Sequence, residues 1–84
     1  MRLDKYLKVS RLIKRREVAK QITDLGLVSI NGKVAKPASE VKIGDKITIN
    51  GVSGKVINVL VTDIKNFTTI DNASNLYQII EEDN

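Results

Sequence analysis

Asn31-Gly32 constrains this chain more than any other pair of residues in it. A two-residue type I′ turn needs φ > 0 at both central positions, and Asn and Gly reach that region with the least strain. Leu27-Val28-Ser29-Ile30 before the pair alternates weakly and reads as a strand, and Lys33-Val34-Ala35 after it reads as the return. Pro37 ends that return, because it lacks the ladder donor. A lone hairpin is marginal in water, so the flanking segments must cover it.

The preceding segment is basic. Residues 1–20 carry Arg2, Lys5, Lys8, Arg11, Lys14, Arg15, Arg16 and Lys20 against Asp4 and Glu17, a local charge of +6 in a chain of net charge +4. Such asymmetry fits a polyanionic partner with a local footprint, the alternative being a solvated helix face. Leu3, Tyr6 and Leu7 recur at helical spacing, so Arg2 to about Lys8 reads as a short helix, interrupted at Val9-Ser10. Arg11-Leu12-Ile13 reads as a connector with two apolar anchors. A second helix is predicted from about Lys14 to Leu25. Val18, Ile22 and Leu25 form its apolar stripe, with Arg16 and Lys20 roughly opposite. Gly26 follows as an αL stop.

Beyond the hairpin, Val41-Lys42-Ile43-Gly44-Asp45 reads as a tight approach to a strand at Lys46-Ile47-Thr48-Ile49. Asn50-Gly51 and Ser53-Gly54 make a looser turn. Lys55 to Val61 places Val56, Asn58 and Leu60 on one face and Ile57, Val59 and Val61 on the other. Both sets are largely apolar, which predicts a strand covered on both sides. Thr62 to Asn75 is polar without period, with Phe67 and Ile70 as its candidate core anchors. Leu76 to Ile80 reads as a last strand and Glu81 to Asn84 as a frayed acidic end. No internal repeat is visible. The 84 residues thus predict one α+β domain, residues 1–84.

Several chemistries are excluded. Without Cys or His there is no disulfide framework, thiolate nucleophile, histidine acid–base group or ordinary zinc site. No Gly-rich phosphate loop and no paired carboxylates with an evident pocket are present, so no catalytic role, cofactor or metal is expected. Met1-Arg2-Leu3-Asp4-Lys5 lacks the apolar core of a signal peptide, and no apolar run approaches the roughly 18 residues of a span. The expected location is cytoplasmic and away from membranes.

Arg2-Leu3-Asp4-Lys5-Tyr6-Leu7, then Arg16, Ala19-Lys20, Ile22, Gly26, Val28 and Ile30-Asn31-Gly32, and finally Gly44-Asp45-Lys46-Ile47 resemble the S-four RNA-binding domain, named for small-subunit ribosomal protein four. The resemblance covers a family core at residues 2–49, leaving added strands and the acidic tail at 50–84. It implies an αL-type fold: two N-terminal helices packed on a small, mainly antiparallel sheet, with RNA against the helices and the first hairpin. It also implies an RNA contact by Arg16, at the arginine of the family's Ser-Arg; Arg15 stands here in place of Ser.

Small stand-alone members of the family resemble nearly the whole chain, including the run from Val9 to Arg16 and the late Asn75-Leu76-Tyr77-Gln78-Ile79. They imply a factor of ribosome-associated quality control that binds large subunits obstructed by peptidyl-tRNA. There it would help hold the P-site tRNA during untemplated C-terminal tailing. The implied partners are large-subunit ribosomal RNA, P-site tRNA, the large subunit and the tailing factor, met by a monomer.

RNA helices hide their bases in a deep groove, so a small basic domain reads phosphates, 2′-hydroxyls and shape. Arginine suits this work because its planar fork grips phosphate bidentately, and a helix N-terminus adds free N–H groups. The candidate RNA-binding residues are Arg16 first, then Arg2, then Lys14, Arg15 and Lys20, followed by Lys5, Lys8, Arg11 and Lys33. Arg16 has an alternative as an ion-pair partner of Asp4 or Glu17, Arg2 as a structural residue of its helix, and the lysines as solvated side chains. Asp4 reads as an ion-pair partner or a helix N-terminal charge, Asp45 as a turn residue, and Tyr6 as core rather than a base-stacking platform. Two other functions remain open: a heat-shock-type factor that rescues stalled large subunits without tailing, and a basic adaptor for an acidic protein.

Overall fold

Leu3, Tyr6 and Leu7 do lie along one helix, α1 (Leu3–Val9), and all three are fully buried. The computed structural model describes residues 1–51, 54–65 and 73–80. Phe67, Ile70, Ser53 and the acidic end at 81–84 lie outside the described residues. After α1 come α2 (Arg16–Asp24), β1 (Val28–Ile30), β2 (Lys33–Val34), β3 (Lys46–Asn50) and β4 (Val56–Val61), then a 3-10 turn at Ala73–Leu76 and β5 (Tyr77–Ile79). The five strands form one sheet in the order β2-β1-β3-β4-β5, with every neighbouring pair antiparallel. The helices pack against each other, and Leu3, Tyr6, Leu7 and Ala19 share one core with Val28, Ile47, Ile49, Val59 and Val61 of the sheet. The α+β architecture of two helices on a small antiparallel sheet is as expected.

The Asn31-Gly32 turn has φ of 53° and 84°, so both residues occupy the left-handed region that a type I′ turn demands. Its register pairs Ile30 with Lys33 and Ser29 with Val34. The turn is also clamped from below. The Asn31 side-chain amide donates to Asp45 Oδ1 at 3.0 Å, and its oxygen accepts the Lys46 N–H at 2.9 Å. Asp45 Oδ2 accepts the Lys42 N–H at 2.9 Å. Asp45 is thus a turn residue that also holds the hairpin tip to the start of β3.

Tyr6 ties the first helix to the far end of the chain. Its hydroxyl donates to the Leu76 carbonyl oxygen at 2.6 Å, and both residues are fully buried. Burial, reinforced by Tyr77 and Asp63, pushes its phenol well above the usual tyrosine range, which keeps the donor proton in place.

Four expectations need correction. The second helix begins at Arg16, not Lys14, because Arg15 is extended (φ −122°, ψ 132°) and the Ile13 N–H turns back to the Leu7 carbonyl at 3.0 Å. Its inward face carries Ala19 and Thr23, with Ile22 half-buried, whereas Val18 is 38% and Leu25 73% exposed. The real face is rotated by one residue, about 100°, from the Val18–Ile22–Leu25 stripe. Small residues let α2 lie close to α1, and the Thr23 hydroxyl is satisfied by the Ala19 and Lys20 carbonyls, each at 2.9 Å.

The third correction concerns β4, which is covered on one side only. Val59 and Val61 are buried, Asn58 and Leu60 are half-buried, and Val56 and Ile57 are exposed. Both helices pack on the same side of the sheet. The other side carries a polar cross-strand pair, Thr48 Oγ1 donating to Asn58 Oδ1 at 2.7 Å. Finally, the last strand starts at Tyr77 rather than Leu76, which closes the 3-10 turn and is buried.

Candidate nucleic-acid interface

Each helix delivers an arginine to the same carboxylate. Arg2 is the N-cap of α1 and Arg16 the first residue of α2. Arg2 Nε lies 3.3 Å from Asp4 Oδ1 and Arg2 Nη2 lies 3.3 Å from Asp4 Oδ2, while Arg16 Nη2 stands 3.6 Å from Oδ1. The Asp4 side chain is only 4% exposed, but those of Arg2 and Arg16 are 53% and 49% exposed. A buried carboxylate therefore anchors two guanidiniums whose outer edges face solvent. The trio keeps one net positive charge. Asp4 Oδ1 also accepts the Lys5 N–H at 2.8 Å, so burial leaves this carboxylate well partnered.

Local backbone contacts explain why Asp4 sits there. The Leu3 N–H donates to Ser39 O at 2.8 Å, the Asp4 N–H to Pro37 O at 3.1 Å, and the Val41 N–H to Met1 O at 2.8 Å. Arg2 and Glu40 form an isolated antiparallel bridge. The segment at 37–41 thus holds the start of α1 in place. The N–H groups of Leu3, Asp4 and Lys5 are accordingly all engaged. At the start of α2, as at that of α1, the N-cap residue makes no side-chain cap, and the N-cap is Arg15.

The remaining candidates are spread over the same elements. Lys8 is exposed in the last turn of α1; Arg11, Lys14 and Arg15 are exposed in the connector, and Lys20 along α2. Arg15 makes a 3.9 Å ion pair with Glu17 in which both partners are well exposed, so the pair contributes little. Lys5 is half-buried, and Lys33 is exposed beside the hairpin turn. Of these nine, Arg2 and Arg16 are joined through a shared group, the Asp4 carboxylate. The ion pairing of Arg16 with Asp4 and its outward face coexist, because one Nη contact leaves most of the fork available.

One feature had no sequence signal. Arg11 has φ +61° and stands immediately after the C-cap Ser10 of α1. Gly26 fills the equivalent place after α2 with φ +78°, its N–H bonded to Thr23 O and the next N–H to Ile22 O, both at 3.0 Å. A left-handed arginine costs about 1 kcal/mol where glycine is nearly free.

No helix among the described residues is long and apolar enough to cross a membrane. The S4 domain family pattern matches residues 1–51. The RQC P-site tRNA stabilizing factor of Bacillus subtilis (strain 168) is 49% identical over 83 residues, 99% of this chain and 95% of that protein. Its namesake from Streptococcus pneumoniae is 45% identical over 82 residues, 98% of this chain and 92% of that protein. The trimeric structure of Vibrio cholerae heat shock protein 15 superposes with a TM-score of 0.86 at 32% identity, covering 95% of this chain and 81% of that one. By this match over residues 1–51 and by identity along nearly its whole length, the chain belongs to the S4 domain family of RNA-binding domains and, within it, to the RQC P-site tRNA stabilizing factors.

Proposed function

We propose that the protein is a non-catalytic factor of ribosome-associated quality control. It grips large-subunit ribosomal RNA and P-site tRNA on obstructed subunits and steadies the peptidyl-tRNA while the stalled chain is tailed. The grip is electrostatic, with specificity from the shape of a composite ribosomal site rather than from base reading. Arg16 and Arg2 are its centre, and Arg15, Lys14, Lys20, Arg11, Lys5, Lys8 and Lys33 extend it along the helices and hairpin.

The observation that supports this most directly is the Arg2–Asp4–Arg16 cluster: two helices brought together with two half-exposed forks side by side. The B. subtilis and S. pneumoniae relatives, both RQC P-site tRNA stabilizing factors, supply the ribosomal setting. Co-sedimentation with purified large subunits tests the reading. Arg16→Ala is expected to lose association about tenfold while keeping its melting temperature. Wild-type binding should weaken steeply with salt, the slope tracking the number of phosphates neutralised. Undiminished co-sedimentation of Arg16→Ala, or a flat salt profile, would sink it.

The likeness to heat shock protein 15 favours a second reading, a rescue factor for stalled subunits that works without tailing. Recovery of the tailing enzyme with the tagged protein separates the two. Partner binding that survives complete RNA digestion would favour a protein adaptor instead.

A further inference from the structure

We propose that Asp4 is a positioning residue for RNA: its buried carboxylate sets the spacing and direction of the Arg2 and Arg16 forks, so that together they take one backbone phosphate. The inference rests on the RNA-binding reading above and deepens it.

A negative charge inside a polyanion-binding surface is counterproductive if charge alone governs binding. Asp4 removes one unit of positive charge from the place where two arginines converge. Yet it is the most buried charged side chain of the cluster, at 4% exposure, and its main chain is held by backbone contacts that involve neither arginine side chain. The Lys5 N–H holds Oδ1 at 2.8 Å, and the Asp4 N–H is held by Pro37 O at 3.1 Å. The Asp4 backbone and one carboxylate oxygen are therefore held by groups other than the arginines. Two long side chains with like charge would otherwise diverge and sample many rotamers.

Donor arithmetic supports the same role. A guanidinium has five N–H donors. Arg2 turns Nε and Nη2 toward Asp4 and Arg16 turns Nη2, so each fork retains donors on its outer side. Those donors are pre-aimed, which lowers the ordering cost of gripping a phosphate. The carboxylate itself accepts no ligand; its action runs through the two arginines.

The test sets charge against position. Asp4→Asn is isosteric, keeps an oxygen for the Lys5 N–H and raises the net charge from +4 by one unit. If charge alone governs, the variant binds tRNA and large subunits more tightly, with a steeper salt dependence. If Asp4 positions the forks, it binds about tenfold more weakly, and the salt slope becomes shallower by about one phosphate contact. Equal or tighter binding overturns the proposal. A double-mutant cycle with Arg16→Lys, a surface change that keeps charge and fold, gives the second measurement. Additive losses would show that Asp4 does not act through Arg16, whereas coupling supports it. Should Asp4→Asn fail to fold, Arg16→Lys and Arg2→Lys still decide: wild-type affinity in both would mean that no shared fork geometry is in use. Wild-type protein that binds neither RNA would instead remove the functional reading itself, a distinguishable failure.

Discussion

Replacing Tyr6 by Phe deletes one hydroxyl from the centre of the domain, and the structure limits how much that costs. The hydroxyl donates to the Leu76 carbonyl at 2.6 Å, both residues being fully buried. Losing a buried partner ordinarily costs about 1–3 kcal/mol, the upper end applying when the remaining group is left unsatisfied. Here the Leu76 oxygen still accepts the Thr62 N–H at 2.9 Å and the Asp63 N–H at 3.2 Å. The loss should therefore fall near the lower bound, about 1 kcal/mol, which in a domain of this size lowers Tm by about 4–8 °C. Thermal unfolding followed by circular dichroism measures it. Alkaline pH supplies an independent check. Because the folded phenol ionises well above the unfolded value of about 10, its contribution is complete below that pH and is lost as pH rises beyond it. Wild-type stability should decline above about pH 10, and the Phe variant should lack Tyr6's share of that decline. An unchanged Tm, or one lowered by more than about 15 °C, would refute the reasoning. The first would mean that the bond contributes nothing over water, and the second that Thr62 and Asp63 do not sustain the carbonyl.

Two further substitutions read separate parts of the fold. Asp45→Ala removes the acceptor of both the Asn31 amide and the Lys42 N–H, and because these sites are exposed the cost should be about 1 kcal/mol; hydrogen exchange should quicken first at the hairpin, and uniform loosening of the whole domain would count against the clamp. Arg11→Gly relieves the left-handed backbone at the end of α1 and should raise stability by somewhat less than about 1 kcal/mol, since glycine also gains freedom in the unfolded chain. The same variant should weaken RNA binding if the strained arginine is kept for its side chain, whereas a lower Tm would show that φ +61° carries no strain.

Local chemistry was legible from residue order. Asn31-Gly32 specified its own turn, and Gly26 its helix stop, because each depends on φ > 0 at a residue that tolerates it. Leu3, Tyr6 and Leu7 announced their helix by spacing, and eight cations in residues 1–20 announced a basic surface. The buried face of α2 was not legible in the same way. Val18, Ile22 and Leu25 satisfy helical periodicity as well as Ala19 and Thr23 do, and only the close approach of α1 selects the smaller pair. β4 was misread for a related reason: two apolar faces say nothing about which one the helices will cover.

Sequence alone therefore determined the element types and the hairpin, which depend on neighbours a few residues apart, and the charge footprint and family likeness, which residue identity and order carry. Tertiary structure decided what those elements present to a ligand. It brought Arg2 and Arg16 from separate helices to Asp4, sealed the N–H groups at the start of α1 with Pro37 and Ser39, and put Arg11 into a left-handed conformation that its residue type does not favour. Such pairings follow from how two short helices settle against a sheet, a balance of many weak contacts between residues distant in the chain, and no local pattern encodes their outcome.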